Sequence, residues 1–236
     1  MNTAGNPVGY DLEMAQRLAN DLGVTIELVP FTFETLSRQL RDDHFDVAMS
    51  GVYGTVGQSE DIRLSDPYMF ATMALVVPDH RDTDFATPTT IRNLKKARVG
   101  IHRSLAGESI SDTAMSEFAN IELVVLDTYR DFFEQTGPGK DLDALYTGAE
   151  SGSAWTLLYP SFQVVTPWLD DFKVPLVYPY NGDNDNQMDE FMDHWVLLKR
   201  HDGTTGKAFK HWILGEDSGN RAPRWSVLRN VLGWIE

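Results

Sequence analysis

Asp46-Val-Ala-Met-Ser-Gly-Val-Tyr-Gly-Thr-Val-Gly-Gln-Ser-Glu-Asp-Ile-Arg-Leu-Ser-Asp-Pro-Tyr68, followed by the apolar run Phe70 to Val77, decides how this chain folds. Phe45 to Met49 reads as a buried strand that ends in a polar loop able to hold a ligand. A short amphipathic turn and the Ser65-Asp-Pro-Tyr68 corner come next. Phe70 to Val77 has the length and apolar content of a strand crossing from one domain to another. That order predicts two lobes.

The segments on either side fit the same plan. Asp11 to Leu22 places Leu12, Ala15, Leu18, Ala19 and Leu22 at helical spacing, and Gly23 is a stop signal. Thr25 to Val29 alternates like a strand, and Phe33 to Leu40 reads as a short helix. With Phe45 to Met49 this gives strand, helix, strand, the unit of an open parallel sheet. Ligands of such sheets gather beyond the carboxyl ends of the strands, where Ser50, Gly51 and Tyr53 fall.

After the polar stretch Asp79 to Thr90, a second lobe is expected. It has a helix over Ile91 to Lys96, a strand over Arg98 to Ile101 and a helix over Ser104 to Phe118. Ile121 to Leu126 is the next strand, Tyr129 to Gln135 a helix and Leu142 to Tyr146 another strand, with a turn at Thr136-Gly-Pro-Gly139. Phe162 to Thr166 and Val174 to Tyr180 return the chain to the first lobe. There, helices are expected over Met188 to Lys199 and Thr204 to Ile213. The boundaries drawn are 1–73 and 178–236 for lobe 1 and 74–177 for lobe 2.

Composition bounds the function. At 236 residues the chain can bury a substantial core, and its net charge of −15 argues against nucleic acid or an anionic membrane surface as partner. With no cysteine there is no disulfide, thiol nucleophile or thiolate metal site. No stretch approaches the ~20 apolar residues of a membrane helix. The six histidines are scattered without metal-ligand spacing, so neither metal nor cofactor is expected. Gly148-Ala-Glu-Ser-Gly152 lacks the central serine of a nucleophile elbow, which removes the serine hydrolases.

Three stretches together resemble the bacterial extracellular solute-binding proteins of the polar amino-acid type. They are Gly9-Tyr-Asp-Leu-Glu-Met-Ala15, Asp46 to Tyr68, and His201-Asp-Gly203 to Trp212. The tail Pro223 to Leu232, with Ser153 to Pro160, is similar to binding domains fused to sodium:dicarboxylate symporter homologues. The resemblance implies an α/β, two-lobed periplasmic-binding-protein type II fold, with two open sheets flanked by helices and joined by a two-strand hinge near Ala71 to Ala74 and Pro175 to Tyr178. Members of that family begin with a strand and an aromatic-bearing loop, whereas eight residues precede Gly9 here. The resemblance therefore implies that the first strand of lobe 1 is missing.

The same resemblance supplies the candidate ligand-binding residues. Ser50, Gly51 and Tyr53 match the loop that holds an ammonium or amide, and Ser104 and Leu105 match an anion site at a helix start. Gln58 stands where the family has an arginine for the ligand carboxylate. It keeps a donor but loses the charge, and a charge-assisted bond is worth roughly 1.5 to 3 kcal/mol against about 1 for a neutral one. Arg103, at the opening of the second lobe's first long helix, is the substitute. Glu150 is the candidate cation partner, or a helix-capping carboxylate.

The function implied is capture of a small polar or anionic solute, such as an amino acid, a derivative or a dicarboxylate. It implies a monomer in the periplasm or on the extracytoplasmic face, serving a membrane transporter, a fused symporter being one form of that partner, and no catalytic residue. The alternatives are a cyclohexadienyl dehydratase-like enzyme, for which Glu150 and His102 are the only general-acid candidates, and the ligand-sensing ectodomain of a signalling receptor.

Overall fold

The structure, a computed structural model, describes residues 7–55, 62–106, 111, 115–168, 173–181 and 187–214. In chain order it begins with α1 (Tyr10–Leu22), α2 (Leu36–Arg41), β1 (Val52–Tyr53), β2 (Arg63–Leu64) and β3 (Met69–Pro78). Next come α3 (Asp82–Phe85), α4 (Pro88–Arg92), β4 (Ala97–His102), β5 (Ile121–Leu126), α5 (Arg130–Glu134), β6 (Ala144–Gly148) and α6 (Ala149–Leu158). β7 (Phe162–Val165), β8 (Lys173–Val177), β9 (Pro179–Tyr180), α7 (Gln187–His201) and α8 (Thr204–Trp212) complete it. The chain divides into two compact units and passes between them inside β3, after Phe70, and inside β8, after Val174.

In the first unit, α1 carries Asp11 and Glu13 in its first turn, where the helix dipole favours negative charge. It ends at Gly23, whose φ of 69° places it in the left-handed region a glycine adopts without strain. Met14, Leu18 and Ala19 are buried. Two indoles fasten the returning chain to this helix: Trp195 Nε1–H donates to Asp21 at 2.8 Å, and Trp212 Nε1–H donates to Glu13 at 2.7 Å. A core of Leu36, Leu40, Ala48, Val52 and Ile62 lies beneath Phe31, Phe33 and Phe45.

The sheet of this unit departs from expectation. Thr25 to Val29 forms no strand, and Phe45 to Met49 is reduced to a single antiparallel bridge between Val47 and Tyr180. The remaining pairings are two-residue ladders, β1 with β8 and β2 with β9. Alternation in the sequence marks a side-chain pattern, but a strand forms only where a neighbour supplies hydrogen bonds.

The second unit contains the expected strands over Arg98 to Ile101, Ile121 to Leu126 and Phe162 to Thr166. β4 lies between β5 and β6, parallel to both, and β3 runs antiparallel to β6 and β7. β3 is buried from Ala71 through Val77, as a near-continuous apolar run requires. Its Ala74 and Val76 share a core with Leu126, Phe132, Phe133, Leu145 and Val164. α4 begins three residues before the expected helix. Thr87 and Thr90 form a reciprocal cap ahead of Pro88, a signal hidden in what reads as a polar loop. The expected Ser104 to Phe118 helix lies partly outside the described residues, and Arg103 to Ala106 form turns.

Candidate functional site

The candidate residues fall into two sets, one in each unit. Ser50, Gly51 and Tyr53 belong to the first unit, and Arg103, Ser104, Leu105 and Glu150 to the second. Gln58 lies outside the described residues.

In the first unit Gly51 adopts φ 62°, so the turn after Ser50 is of a kind that other residues rarely make. A Cβ on Gly51 would sit 3.9 Å from Asp11 Oδ2. Tyr53 is buried in β1, opposite Leu176, so its ring belongs to the interior, while Ser50 is exposed.

Sequence reasoning missed the group beside this turn. Burial pushes the Asp11 carboxyl up to about 6, against the opposing pull of the Tyr68 hydroxyl and the Gly51 N–H. Its Oδ1 is enclosed with no hydrogen-bond partner. Tyr68 stacks on Tyr178 with centroids 4.1 Å apart and 7° between planes, and on Tyr10 at 5.7 Å. The Ser65-Asp-Pro-Tyr68 corner is held by its own backbone exchange with Tyr178. Tyr178 N–H donates to Ser65 Oγ at 3.0 Å, and Ser65 N–H donates to the Tyr178 carbonyl at 3.2 Å. Asp66 N–H donates to Asp193 of α7 at 2.7 Å. Asp11 was visible as part of Gly9-Tyr-Asp11, but Tyr68 is distant in sequence and only the fold brings the two together.

In the second unit the end of β4 is tightly organised. His102 Nε2 lies 3.2 Å from the Asp127 carbonyl, which can only accept, so Nε2 carries the proton and Nδ1 accepts. Ser104 meets Nδ1 with its hydroxyl at 2.8 Å and its N–H at 3.2 Å. His102 is thus a hydrogen-bonded structural residue that fixes Ser104. Arg103 is half exposed, and its guanidinium is engaged by Asp127 at 2.6 Å, so it is not a free cation. The Leu105 side chain is buried, and its N–H donates to the His102 carbonyl at 2.9 Å.

Glu150 sits in the first turn of α6, where the helix dipole favours negative charge. Burial nevertheless dominates and pushes its carboxyl up to about 7, although the backbone N–H groups of Glu150 and Thr72 pull the other way. Oε2 is enclosed and has no hydrogen-bond partner. Among the described residues no group of histidine and carboxylate side chains could hold a metal ion.

The family model of the bacterial extracellular solute-binding proteins, family 3, matches residues 1–215. The chain belongs to that family. It is 26% identical over 235 residues to the cyclohexadienyl dehydratase of Pseudomonas aeruginosa, covering 89% of this chain and 75% of that protein. It is 24% identical over 217 residues to the histidine-binding periplasmic protein of Escherichia coli, covering 90% and 81%. Among solved structures, the amino acid ABC transporter substrate-binding protein AbpA of Streptococcus pneumoniae, bound to L-arginine, superposes with a TM-score of 0.71 at 24% identity over 90% of this chain and 89% of that one. This last likeness bears on the fold, which is that of the type II periplasmic binding proteins. Among the described residues no helix is long and apolar enough to cross a membrane.

Proposed function

We propose that this chain is a receptor for a small solute carrying an ammonium group, an amino acid or a derivative of one, and that it serves a membrane transporter from the extracytoplasmic side. The observation that carries the reading is the enclosed Glu150 carboxyl, whose Oε2 lacks a partner. Asp11 adds a second enclosed carboxyl at the Gly51 turn, whereas Arg103 is already engaged by Asp127. The unmet demand is for a cation. Gln58, where the resemblance expects arginine, weakens the case for holding a carboxylate by charge. Dicarboxylates therefore rank behind amino acids, and fusion to a dicarboxylate symporter is the narrower of the transporter proposals.

A thermal-shift panel of amino acids and dicarboxylates tests this, because a ligand at 100 times its dissociation constant adds about 2.7 kcal/mol of stability. Amino acids should raise the midpoint and Glu150→Gln should abolish the rise. A flat panel, or a rise with dicarboxylates alone, would overturn the reading. Binding should also weaken on acidification, since an ammonium pairs with the ionised carboxylate and Glu150 must release its proton. Calorimetric affinities should fall up to about tenfold per pH unit below 7, and this slope should vanish in Glu150→Gln.

Arg103 is tested separately. If the resemblance assigns it correctly to an anionic part of the solute, Arg103→Ala should weaken binding at least about tenfold, a loss of roughly 1.4 kcal/mol. Arg63→Ala should be nearly silent, because Arg63 is exposed and only loosely paired with Asp189 at 3.7 Å. Equal effects would remove Arg103 from the site.

A second reading has its own support. A carboxylic acid that stays protonated near neutral pH is a competent general acid, and one relative is a cyclohexadienyl dehydratase. Turnover of a cyclohexadienyl substrate by the purified chain, lost in Glu150→Gln, would replace the receptor reading.

A further inference from the structure

The turn that follows β4 spends its donors internally. Arg103 N–H donates to the Leu126 carbonyl at 2.9 Å and Ser104 N–H to His102 Nδ1 at 3.2 Å, while Leu105 N–H and Ala106 N–H reach the His102 carbonyl at 2.9 and 3.2 Å. The Arg103 guanidinium is paired with Asp127. A helix start binds an anion through N–H groups that have no acceptor, and from Arg103 to Ala106 each one has an acceptor.

The Ser104 hydroxyl completes the pattern. A serine hydroxyl has one proton to give and two lone pairs with which to accept. His102 Nε2 gives its proton to the Asp127 carbonyl, which leaves a lone pair on Nδ1. An oxygen 2.8 Å from that lone pair must place its own proton between them, since two lone pairs at this distance repel. Among the described residues the hydroxyl makes no other hydrogen bond, and Ser104 is partly exposed. The group it turns outward is an acceptor only.

We propose that Ser104 Oγ accepts an N–H of the solute's ammonium group, and that His102 is the positioning residue that makes this hydroxyl an acceptor. On the receptor reading, on which this assignment rests, Ser104 and Glu150 hold the same ammonium. Each stands two residues beyond the end of its strand, β4 or β6, and these strands are parallel neighbours with Ile101 opposite Tyr146. Ligands of parallel strands collect at that edge. Tyr129 links the two strand ends: its ring lies 5.1 Å from the imidazole, and its hydroxyl accepts from Thr147 Oγ1 of β6 at 3.2 Å. A carboxylate placed here would meet lone pairs from both Ser104 and Glu150, so the pair selects for a cation and against an anion.

Nitrogen NMR of the chain alone at pH 8 should find the His102 proton on Nε2. Each common amino acid, with succinate and glutarate as the anionic probes, is then titrated by calorimetry. Ser104→Ala should weaken the amino acids that bind at least about tenfold, the size of a bond to a charged group. His102→Leu frees the Ser104 proton to turn outward and should narrow the preference for amino acids over the two dicarboxylates at least about tenfold. His102→Asn, whose side-chain carbonyl replaces Nδ1 as acceptor, should restore most of that preference. A proton on Nδ1, or a preference unchanged in His102→Leu, would overturn the assignment. So would amino-acid binding that Glu150→Gln abolishes but Ser104→Ala leaves intact, and the receptor reading would then stand. No binding of any amino acid would overturn both.

Discussion

Gly139→Ala should lower the thermal midpoint by about 6 to 12 °C, the shift expected for roughly 3 kcal/mol in a chain of this size. Gly139 is buried in the turn after α5, where its N–H donates to the Thr136 carbonyl at 2.8 Å. A Cβ built there would lie 2.2 Å from both the carbonyl carbon and the oxygen of Asp131 and 2.5 Å from Phe132 N. All three are backbone atoms of α5, so relief requires moving the helix that carries Phe132 and Phe133 into the core. Overpacking of this kind costs about 1 to 3 kcal/mol when side chains can yield and more when they cannot. Gly137→Ala is the matched comparison. At φ 47° it is strained by conformation, yet nothing lies within 4 Å of its Cβ. Its cost should be nearer 1 kcal/mol. Equal melting shifts for the two variants would show that close approach is not what keeps residue 139 a glycine.

Glu150→Gln should stabilise the chain, and increasingly so as the pH rises. The folded carboxyl is held up to about 7 from an ordinary value of 4.5, so between these the folded state binds the extra proton. Stability from this group is therefore complete below pH 4.5 and is lost as the pH climbs through 7. The difference amounts to about 3 kcal/mol by pH 8, an order-of-magnitude figure at 1.36 kcal/mol per unit. Asp11, pushed up to about 6 by burial, acts in the same direction over a lower window, so Asp11→Asn should reach its full effect earlier. Urea denaturation between pH 5 and 8.5 separates the two. A Glu150→Gln advantage that stays constant over this range would remove the buried-carboxyl account. An advantage in stability joined to a loss of amino-acid binding would identify Glu150 as a group kept at a structural cost for its ligand.

Local patterns foretold the elements that own their partners. α1 announced itself by apolar spacing and Gly23, and β3 by the run from Phe70 to Val77, because a strand buried on both faces needs no alternation. Thr25 to Val29 and Phe45 to Met49 have comparable strand patterns, yet the first forms no strand and the second only the Val47–Tyr180 bridge. The pattern specifies which face would be buried, but a neighbour must exist to bury it. Ser50 and Gly51 are candidates because Asp46 and the Ser65-Asp-Pro-Tyr68 corner fix their register, and the structure shows a turn there with Gly51 at φ 62°. Asp11 could not be recognised as an enclosed carboxyl, because its enclosure comes from Tyr68 and Gly51 across the fold. The engagement of Arg103 by Asp127 was equally hidden, since it depends on β5 lying beside β4.

β1 finds its partner in β8, and β2 in β9, with the stretch Ala71–Val174 of the second unit lying between them in the order of synthesis. The inserted unit can therefore mature on the nascent chain while the first remains an open half waiting for its return strands. A stalled chain ending near Val174 would hold the β3 to β7 sheet of the second unit but leave β1 and β2 without their partners. The interval before β8 and β9 are synthesised is thus the one in which β1 and β2 expose unpaired edges.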